Sequence, residues 1–249
     1  MKNEDFLEEK KPKRVKDVWE KKLADASISD EDFVKFFDLS DTYENVRKLG
    51  YIDFYGRILT PDMYKILNSD IRQKTALEIG FGAGRLIEPA TRVFKDVIGV
   101  DIHGAFEKTS KILEQNQCGN HRLIRREQLK NIDDKSVDFI YSFIVFQHFE
   151  KWEEAVFYLK HIKRILKDDG CGIIYFGINS QTNDNFIESG DILFEERGYS
   201  LIVNPNFAIE EMKNYVKPIE CTRGNKKPWG GGLSNQFYIK FVSAESKLF

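Results

Sequence analysis

Short apolar runs alternate with amphipathic segments along most of the chain. Continuous short runs predict buried strands, and apolar residues that recur every three or four positions predict helices. The predicted strands are, in chain order, 75–79, 97–101, 122–126, 137–143, 171–178, 219–223 and 236–242. The predicted helices of this part of the chain are 105–116, 156–166 and 209–216. Strands that alternate with helices predict an α/β fold, a mostly parallel sheet with helices on both faces.

The beginning of the chain follows a different pattern and predicts a separate unit. A charged arm is followed by apolar residues at helical spacing, and Ser29 with Asp32 resembles a capping box that opens a short helix. A further helix is predicted to end at Gly50. The predicted division is therefore 1–68 for the arm and helical unit and 69–249 for the α/β core.

The segment Thr75–Arg85, T-A-L-E-I-G-F-G-A-G-R, ends a strand in three alternating glycines, Gly80, Gly82 and Gly84. Glycines at such a turn let the backbone bend sharply and let a ligand approach the bare amides. The next strand ends in Asp101. Since neighbouring parallel strands end at the same edge of a sheet, the pattern predicts a cofactor cradle in which Asp101 accepts hydrogen bonds from ribose hydroxyls.

The pattern E-x-G-x-G-x-G, followed by an acid at the end of the next strand, resembles the class I S-adenosylmethionine-dependent methyltransferases. This resemblance implies a seven-stranded, Rossmann-like sheet with a closing antiparallel hairpin and an N-terminal helical lid. It also implies S-adenosylmethionine as the cofactor, without a metal. A nicotinamide oxidoreductase is the alternative, but its dinucleotide motif needs glycine or alanine where Arg85 stands.

The resemblance also assigns cofactor contacts. The position that meets the adenine amine is open between Glu127 and Gln128, because the usual aspartate is absent, and a plain surface turn is the alternative there. Arg57, in the lid, is expected to reach the cofactor carboxylate unless it packs in the core. The implied cofactor-binding residues are Glu78, Gly80, Phe81, Gly82, Gly84, Asp101, Ile102, Glu127, Gln128, Leu129, Ser142, Phe143 and Arg57.

The acceptor side of the site is predicted from the loops after the strands. Tyr55, Gln147, His148 and Trp229 are the candidate substrate contacts. His148 is the candidate general base, because it follows the fourth strand and a histidine titrates near neutrality. The other three histidines, His103, His121 and His161, fall on predicted helix or turn surfaces. The alternative is a structural histidine that caps the next helix. An insertion at about 179–207 is expected to wall the substrate site.

Composition narrows the acceptor class. The 249 residues carry a formal net charge of -2, which provides no global field to attract nucleic acid or a membrane surface. The three cysteines have no paired spacing, and no apolar signal segment begins the chain, so a cytoplasmic protein is expected. The sequence therefore predicts methyl transfer to oxygen or nitrogen of a small or sugar-like molecule. A protein or RNA methyltransferase and a non-catalytic cofactor-binding homologue are the alternatives.

Overall fold

The structure is a computed structural model. It describes residues 28–38, 42–67, 70–178, 194–197, 200–224 and 236–247. The charged arm and Trp229 lie outside the described residues, and so does most of the predicted insertion at 179–207.

The described residues form nine strands and seven α-helices. The strands are β1 (Thr75–Ile79), β2 (Asp96–Asp101), β3 (His121–Arg125), β4 (Val137–Ser142), β5 (Leu166–Gly177), β6 (Phe194–Arg197), β7 (Ser200–Val203), β8 (Val216–Arg223) and β9 (Gln236–Ser243). The helices are α1 (Asp30–Asp38), α2 (Tyr43–Asp53), α3 (Pro61–Leu67), α4 (Ile87–Thr91), α5 (Phe106–Gln115), α6 (Trp152–Ile165) and α7 (Pro205–Met212). Short helical turns lie at Phe54–Ile58, Ile71–Gln73, Arg126–Asn131 and Phe146–His148.

All nine strands belong to one sheet. Seven of them follow the order β3-β2-β1-β4-β5-β9-β8, in which β1 to β5 are parallel and β9 runs antiparallel to β5 and β8. This confirms the predicted mostly parallel sheet with its closing hairpin. The short hairpin of β6 and β7 is an addition, and β7 meets β5 only at Gly177. The chain order reverses between β1 and β4, and such reversals leave a crevice at the carboxyl ends of the strands.

The central strands are buried because helices cover both faces of the sheet. In β4, Phe139 and Tyr141 pack in the core with α3 and α4, whereas Ile140 between them packs in the core with α6 and α7. All six residues of β4 are buried. The continuous apolar runs in the sequence therefore reflect strands with two buried faces, as parallel sheets require.

Strand β5 begins earlier than the sequence predicts. Leu166 already pairs with Val137, and Lys167 donates to both carboxylate oxygens of Asp138 at 2.9 Å. The same buried carboxylate accepts from the backbone N–H of Thr75 at 2.8 Å. Asp138 thus ties β1, β4 and β5 together at their amino ends, and this tie extends the strand through residues expected to form a turn.

The N-terminal helices dock on the core through a buried carboxylate. Glu88, on α4, accepts from Arg47 Nε at 3.0 Å, from the Tyr51 hydroxyl at 3.3 Å and from Asn116 Nδ2 at 3.2 Å. Two of these donors lie on α2. Because a buried carboxylate is stable only when it is well paired, Glu88 fixes where α2 lies.

The prediction that Gly50 ends a helix is wrong. Helix α2 continues through Gly50 to Asp53, and Gly50 is buried. A Cβ at this position would lie 2.2 Å from the backbone oxygen of Arg85. The glycine therefore allows α2 to touch the backbone that follows the glycine turn.

Helix α7 also begins earlier than predicted. The Asn204 side chain accepts from the backbone N–H groups of Asn206 at 2.9 Å and Phe207 at 3.3 Å, and Pro205 stands in the first turn. This cap starts the helix ahead of the apolar stripe on which the prediction was based. No helix in the described ranges has both the length and the apolar character needed to cross a membrane.

Replacement of Gly50 by alanine is expected to lower the free energy of unfolding by about 1 to 3 kcal/mol, because the added methyl group collides with a backbone oxygen. Urea denaturation followed by circular dichroism measures this change. Gly56→Ala is the matched control, since a Cβ there meets nothing within 4 Å. Equal loss of stability in both variants would contradict a close approach of α2 at Gly50.

Candidate active site

The glycine turn after β1 is built from residues with positive φ angles. The φ values are 82° at Gly80, 52° at Gly82 and 85° at Gly84, a range that residues with a side chain rarely adopt. The N–H of Gly80 donates to Val100 O at 2.7 Å, which joins the end of β1 to β2. A Cβ at Gly80 would lie 2.2 Å from a methyl carbon of Val145. Glycine is thus required there both by conformation and by packing.

The carboxylate of Asp101 joins the glycine turn to the end of β2. Its Oδ2 accepts from the N–H of Gly82 at 2.9 Å, and its Oδ1 accepts from the N–H of Ile102 at 2.7 Å. Backbone donors on two neighbouring strand ends therefore fix the direction of this side chain. Such charge-assisted hydrogen bonds are short and strong.

A buried histidine supports the same turn, although the sequence suggested that it lay on the surface. His103 is only 1 % exposed, and its Nδ1 accepts from the N–H of Ala105 at 3.1 Å. Nε2 therefore carries the hydrogen and donates it to Gly82 O at 3.1 Å. Burial lowers the pKa of His103, which keeps the ring neutral. In the sequence, its position two residues after Asp101 could have indicated that His103 lies beside the glycine turn.

Glu78 is buried beside the turn, on the strand that leads into it. The hydroxyl of Tyr141 donates to Glu78 Oε2 at 3.3 Å. Burial raises the pKa of the Glu78 carboxyl to about 8, and the nearby Arg85 guanidinium only partly offsets this effect. The carboxyl can therefore hold a proton near neutral pH, or lose it when a cationic group approaches.

A cavity of about 410 Å³ lies at the carboxyl edge of the sheet, over the glycine turn. This volume falls within the range of small-molecule sites. The structure brings together, in the lining of the cavity, nine of the residues singled out from the sequence: Glu78, Gly80, Phe81, Gly82, Asp101, Ile102, Glu127, Phe143 and His148.

The adenine-reading alternatives separate in the structure. Glu127 lines the cavity, whereas Gln128 turns back so that its Oε1 accepts from the N–H of Arg125 at 2.7 Å. Leu129 is buried in the core with α6. Only Glu127 of these three therefore remains beside the space for a ligand.

Four other expected contacts lie away from the cavity lining. Ser142 donates to Ile79 O at 2.9 Å, and Gly84 packs against Leu113. Arg57 forms an ion pair with Asp53 at 2.9 Å. Tyr55 is 44 % exposed. The residues at these positions make contacts within the protein. A sequence motif alone does not distinguish such residues from residues that contact a ligand.

Gln147 does not line the cavity but contacts a residue that does. Its Nε2 lies 3.1 Å from Nε2 of His148, and its Oε1 accepts from Gln236 Nε2 at 2.7 Å. Gln147 is thus placed behind His148.

The lining also includes residues that the sequence did not single out. Val34 and Val46 come from α1 and α2, so the N-terminal helices contribute directly to the wall. The remaining ones are Ala83, Arg85, Leu86, Arg126, Ile144, Val145, Phe149, Glu150, Glu154 and Tyr158. Glu154 and Tyr158 are four residues apart on α6, so they lie on the same face of the helix. This spacing in the sequence could have indicated that the two side chains line one wall.

A charged cluster forms the wall beside Glu127. Arg126 Nη1 lies 3.5 Å from Glu154 Oε2, and the Arg126 guanidinium stands 4.9 Å from the centre of the Phe157 ring. The hydroxyl of Tyr158 is in the same wall, and burial raises its pKa, so it stays protonated. The wall therefore offers both carboxylate acceptors and a hydroxyl group to a polar ligand.

The sequence also matches a known family. Residues 77–174 match the family model described as a methyltransferase domain. This match shows a methyltransferase domain in the chain, and the fold is consistent with the class I S-adenosylmethionine-dependent methyltransferases. The matched residues of this methyltransferase domain run from β1 into β5, so they include the glycine turn, Asp101 and His148. A comparison with curated proteins found no match.

Solved structures share the fold of the methyltransferase chain at low sequence identity. N-methyltransferase NodS from Bradyrhizobium japonicum WM9, in complex with S-adenosylhomocysteine, is 13% identical with a TM-score of 0.60, and the alignment covers 93% of this chain and 99% of NodS. A protein from Pyrococcus horikoshii OT3 is 15% identical with a TM-score of 0.58, covering 85% and 96%. A SAM-dependent methyltransferase from Aquifex aeolicus is 14% identical with a TM-score of 0.54, covering 80% and 97%.

The cofactor of this methyltransferase domain is S-adenosylmethionine, and the residues present fit it. The cavity lies over a turn of positive-φ glycines, and the Asp101 carboxylate stands at the end of the neighbouring strand. The lining carries five carboxyl groups, those of Glu78, Asp101, Glu127, Glu150 and Glu154. An acidic lining suits a ligand that carries a sulfonium and an ammonium group.

Asp101→Ala is expected to weaken binding of S-adenosylhomocysteine by about 1.5 to 3 kcal/mol, tenfold or more, because a carboxylate acceptor is lost and the Gly82 N–H loses its partner. Isothermal titration calorimetry gives the affinity. Asp96→Ala serves as the control, because Asp96 is exposed at the opposite end of the same strand. Equal affinities in all three proteins would show that the cofactor does not depend on Asp101.

Glu78→Gln is expected to change how stability depends on pH. The folded wild-type protein keeps a proton on Glu78 up to about pH 8, whereas the unfolded chain loses it near the ordinary value of 4.5. Wild-type stability therefore falls between these pH values, and Glu78→Gln escapes the loss, by up to about 4 kcal/mol at pH 9. Thermal unfolding from pH 5 to pH 9 measures the difference. The exposed control Glu107→Gln should follow the wild type, and a pH-independent difference for Glu78→Gln would contradict the raised pKa.

Proposed function

We propose that the protein transfers a methyl group from S-adenosylmethionine to an oxygen or nitrogen of a small-molecule or sugar-like acceptor, by in-line displacement with His148 as the general base. The main observation in support of this proposal is that the N-terminal helices cover the cavity. Val34 and Val46 from the N-terminal helices and His148 from the loop after β4 line the same space of about 410 Å³. A space enclosed in this way favours a small acceptor over a residue within a folded macromolecule.

The contacts of the N-terminal helices with the glycine turn also support a proposed domain division. Residues 1–68 would form the arm and helical lid, and residues 69–249 the catalytic core. The ion pair of Arg85 with Asp53, at 2.7 Å, links the end of α2 to the glycine turn. Gly50 lies against the Arg85 backbone in the same region. These contacts support a lid that is fixed on the cradle and excludes water from it.

Each group of lining residues has a distinct role in the proposed reaction. Asp101 and Glu127 would hold the polar edges of the adenosyl group, and the glycine turn would offer its backbone. Glu78 would meet the cationic end, since its carboxyl becomes ionised most readily beside a positive charge. S-adenosylmethionine supplies an already activated methyl group, so the chain's own task is to align the acceptor and remove its proton.

His148 is the residue placed to take that proton. It stands in the short turn Phe146–His148, directly after the loop that follows β4, and it lines the cavity while its neighbour Gln147 does not. A histidine that titrates near neutrality suits removal of a proton from a hydroxyl or an ammonium group. The N-methyltransferase activity of NodS belongs to that protein, and both acceptor atoms remain within the proposal.

His148→Ala is expected to keep its affinity for S-adenosylhomocysteine within about threefold and to lower turnover by a factor of about 100 or more, the usual contribution of a general base. Turnover is measured as S-adenosylhomocysteine release in the presence of pooled hydroxylated, aminated and glycosylated metabolites. His161→Ala, a half-buried histidine on α6 that packs on Phe157, is the matched control. Unchanged turnover in His148→Ala would show that His148 is not the general base. Absence of any S-adenosylhomocysteine release by the wild type would contradict the proposed enzymatic activity.

A further inference from the structure

The backbone carbonyl of Gly82, in the glycine turn, accepts hydrogen bonds from two buried side chains. His103 Nε2 donates to Gly82 O at 3.1 Å, and the Thr109 hydroxyl donates to the same oxygen at 3.1 Å. The other acceptor near that hydroxyl, Ala105 O, is more distant at 3.4 Å. Both donors belong to the segment after β2, since His103 lies in the loop that leads to α5 and Thr109 lies on α5. This segment therefore holds the turn that follows β1.

The N–H of Gly82 is held from the same segment. It donates to Asp101 Oδ2 at 2.9 Å, while Oδ1 of Asp101 accepts from the N–H groups of Ile102 at 2.7 Å and His103 at 3.4 Å. Gly82 has a φ of 52°, and a glycine has no side chain that would restrict its backbone to this conformation. The direction of both polar backbone groups of Gly82 therefore depends on the residues that follow β2.

The carbonyl of Gly82 also sets the direction of the next amide. A trans peptide is planar, so the oxygen of Gly82 and the N–H of Ala83 point in opposite directions. His103 and Thr109 bind the oxygen, which directs the N–H of Ala83 away from these two side chains. Ala83 is part of the cavity lining. Rotation of this peptide would place an oxygen where the N–H now stands, and a glycine on one side makes such a rotation easy.

Packing alone does not explain a histidine at position 103. Its ring contacts the rings of Phe81 and Phe106, with centroids 5.0 Å and 5.2 Å away. A phenylalanine would fill the same space without taking polar nitrogens out of water. Both nitrogens of His103 instead have partners, because Nδ1 accepts from the N–H of Ala105 at 3.1 Å and Nε2 donates to Gly82 O. The imidazole therefore orients the backbone of two segments.

We propose that His103 and Thr109 are positioning residues for the cofactor, which hold the Gly82–Ala83 peptide in the orientation that binds S-adenosylmethionine. Both side chains lie outside the cavity lining, so they act through Gly82. The inference deepens the proposed function, because it rests on the glycine turn as the cofactor cradle. It does not depend on His148 or on the acceptor.

Two substitutions of His103 separate its two hydrogen bonds. The amide nitrogen of glutamine stands as far along the side chain as Nε2 of histidine, so His103→Gln keeps a donor for Gly82 O. The amide oxygen of asparagine stands as far along as Nδ1. His103→Asn therefore keeps an acceptor for the Ala105 N–H but places no donor at the position of Nε2.

Isothermal titration calorimetry of the full-length protein with S-adenosylhomocysteine tests the proposal. His103→Gln is expected to bind within about threefold of the wild type, whereas His103→Asn is expected to bind about tenfold more weakly, which corresponds to about 1.4 kcal/mol. Both variants lose the ring contacts with Phe81 and Phe106, so their free energies of unfolding should fall by similar amounts. A role confined to packing, or to the bond with Ala105, predicts equal affinities or the reverse order.

Thr109→Val tests the second donor without changing the histidine. It removes the hydroxyl and nearly preserves the shape of the side chain, and it is expected to weaken binding of S-adenosylhomocysteine about threefold or more. Thr91→Val is the matched control, since Thr91 is also buried and its hydroxyl donates to Glu88 O at 2.6 Å within α4. His121→Asn is the control for the histidine, because His121 lies at the amino end of β3. Both controls should bind like the wild type.

The proposal is overturned if His103→Gln and His103→Asn bind S-adenosylhomocysteine equally, or if Thr109→Val binds as tightly as the wild type. These measurements need no acceptor. A wild-type protein that does not bind S-adenosylhomocysteine would contradict the cofactor site itself. Wild-type affinity in all of the variants would contradict only the positioning role of His103 and Thr109.

Discussion

The hydrogen bond from the Gly82 N–H to the Asp101 carboxylate holds the site together. It joins the turn after β1 to the end of β2, the two strand ends between which the cavity opens. The turn can donate this N–H only because its glycines adopt positive φ angles. His103 also holds Gly82 in place, because its Nε2 donates a hydrogen bond to Gly82 O. The chain's own hydrogen bonds therefore hold the cradle in shape, which reduces the ordering that binding would require.

The N-terminal helices pack closely against the glycine turn. Helix α2 contacts the Arg85 backbone because residue 50 has no side chain. The buried Glu88 accepts hydrogen bonds from α2 and from Asn116, which directly follows α5. Ion pairing of Arg85 with Asp53 adds a polar contact at the edge. The N-terminal helices are thus tied to the core next to the glycine turn. This explains how residues far from the motif in sequence, such as Val34, reach the cavity wall.

The proposed acceptor side is organised by polar groups rather than by glycine. His148 lies where the loop after β4 meets the cavity, and the amides of Gln147 and Gln236 stand behind it. Side-chain contacts between the turn after β4 and the first residue of β9 therefore hold this corner of the cavity.

The sequence by itself determined the parallel sheet, the closing hairpin, the glycine turn and the acid at the end of β2, because each leaves a local pattern of apolar runs, glycines and spacing. Only the tertiary structure decided which side chains line the cavity. Gln128 caps its own turn and Arg57 pairs with Asp53, whereas Tyr158 and Val34 reach the cavity from distant helices. The buried His103 and Gly50 were likewise misjudged. Their roles arise from contacts between segments far apart in the chain, and such contacts leave no periodic trace in the sequence.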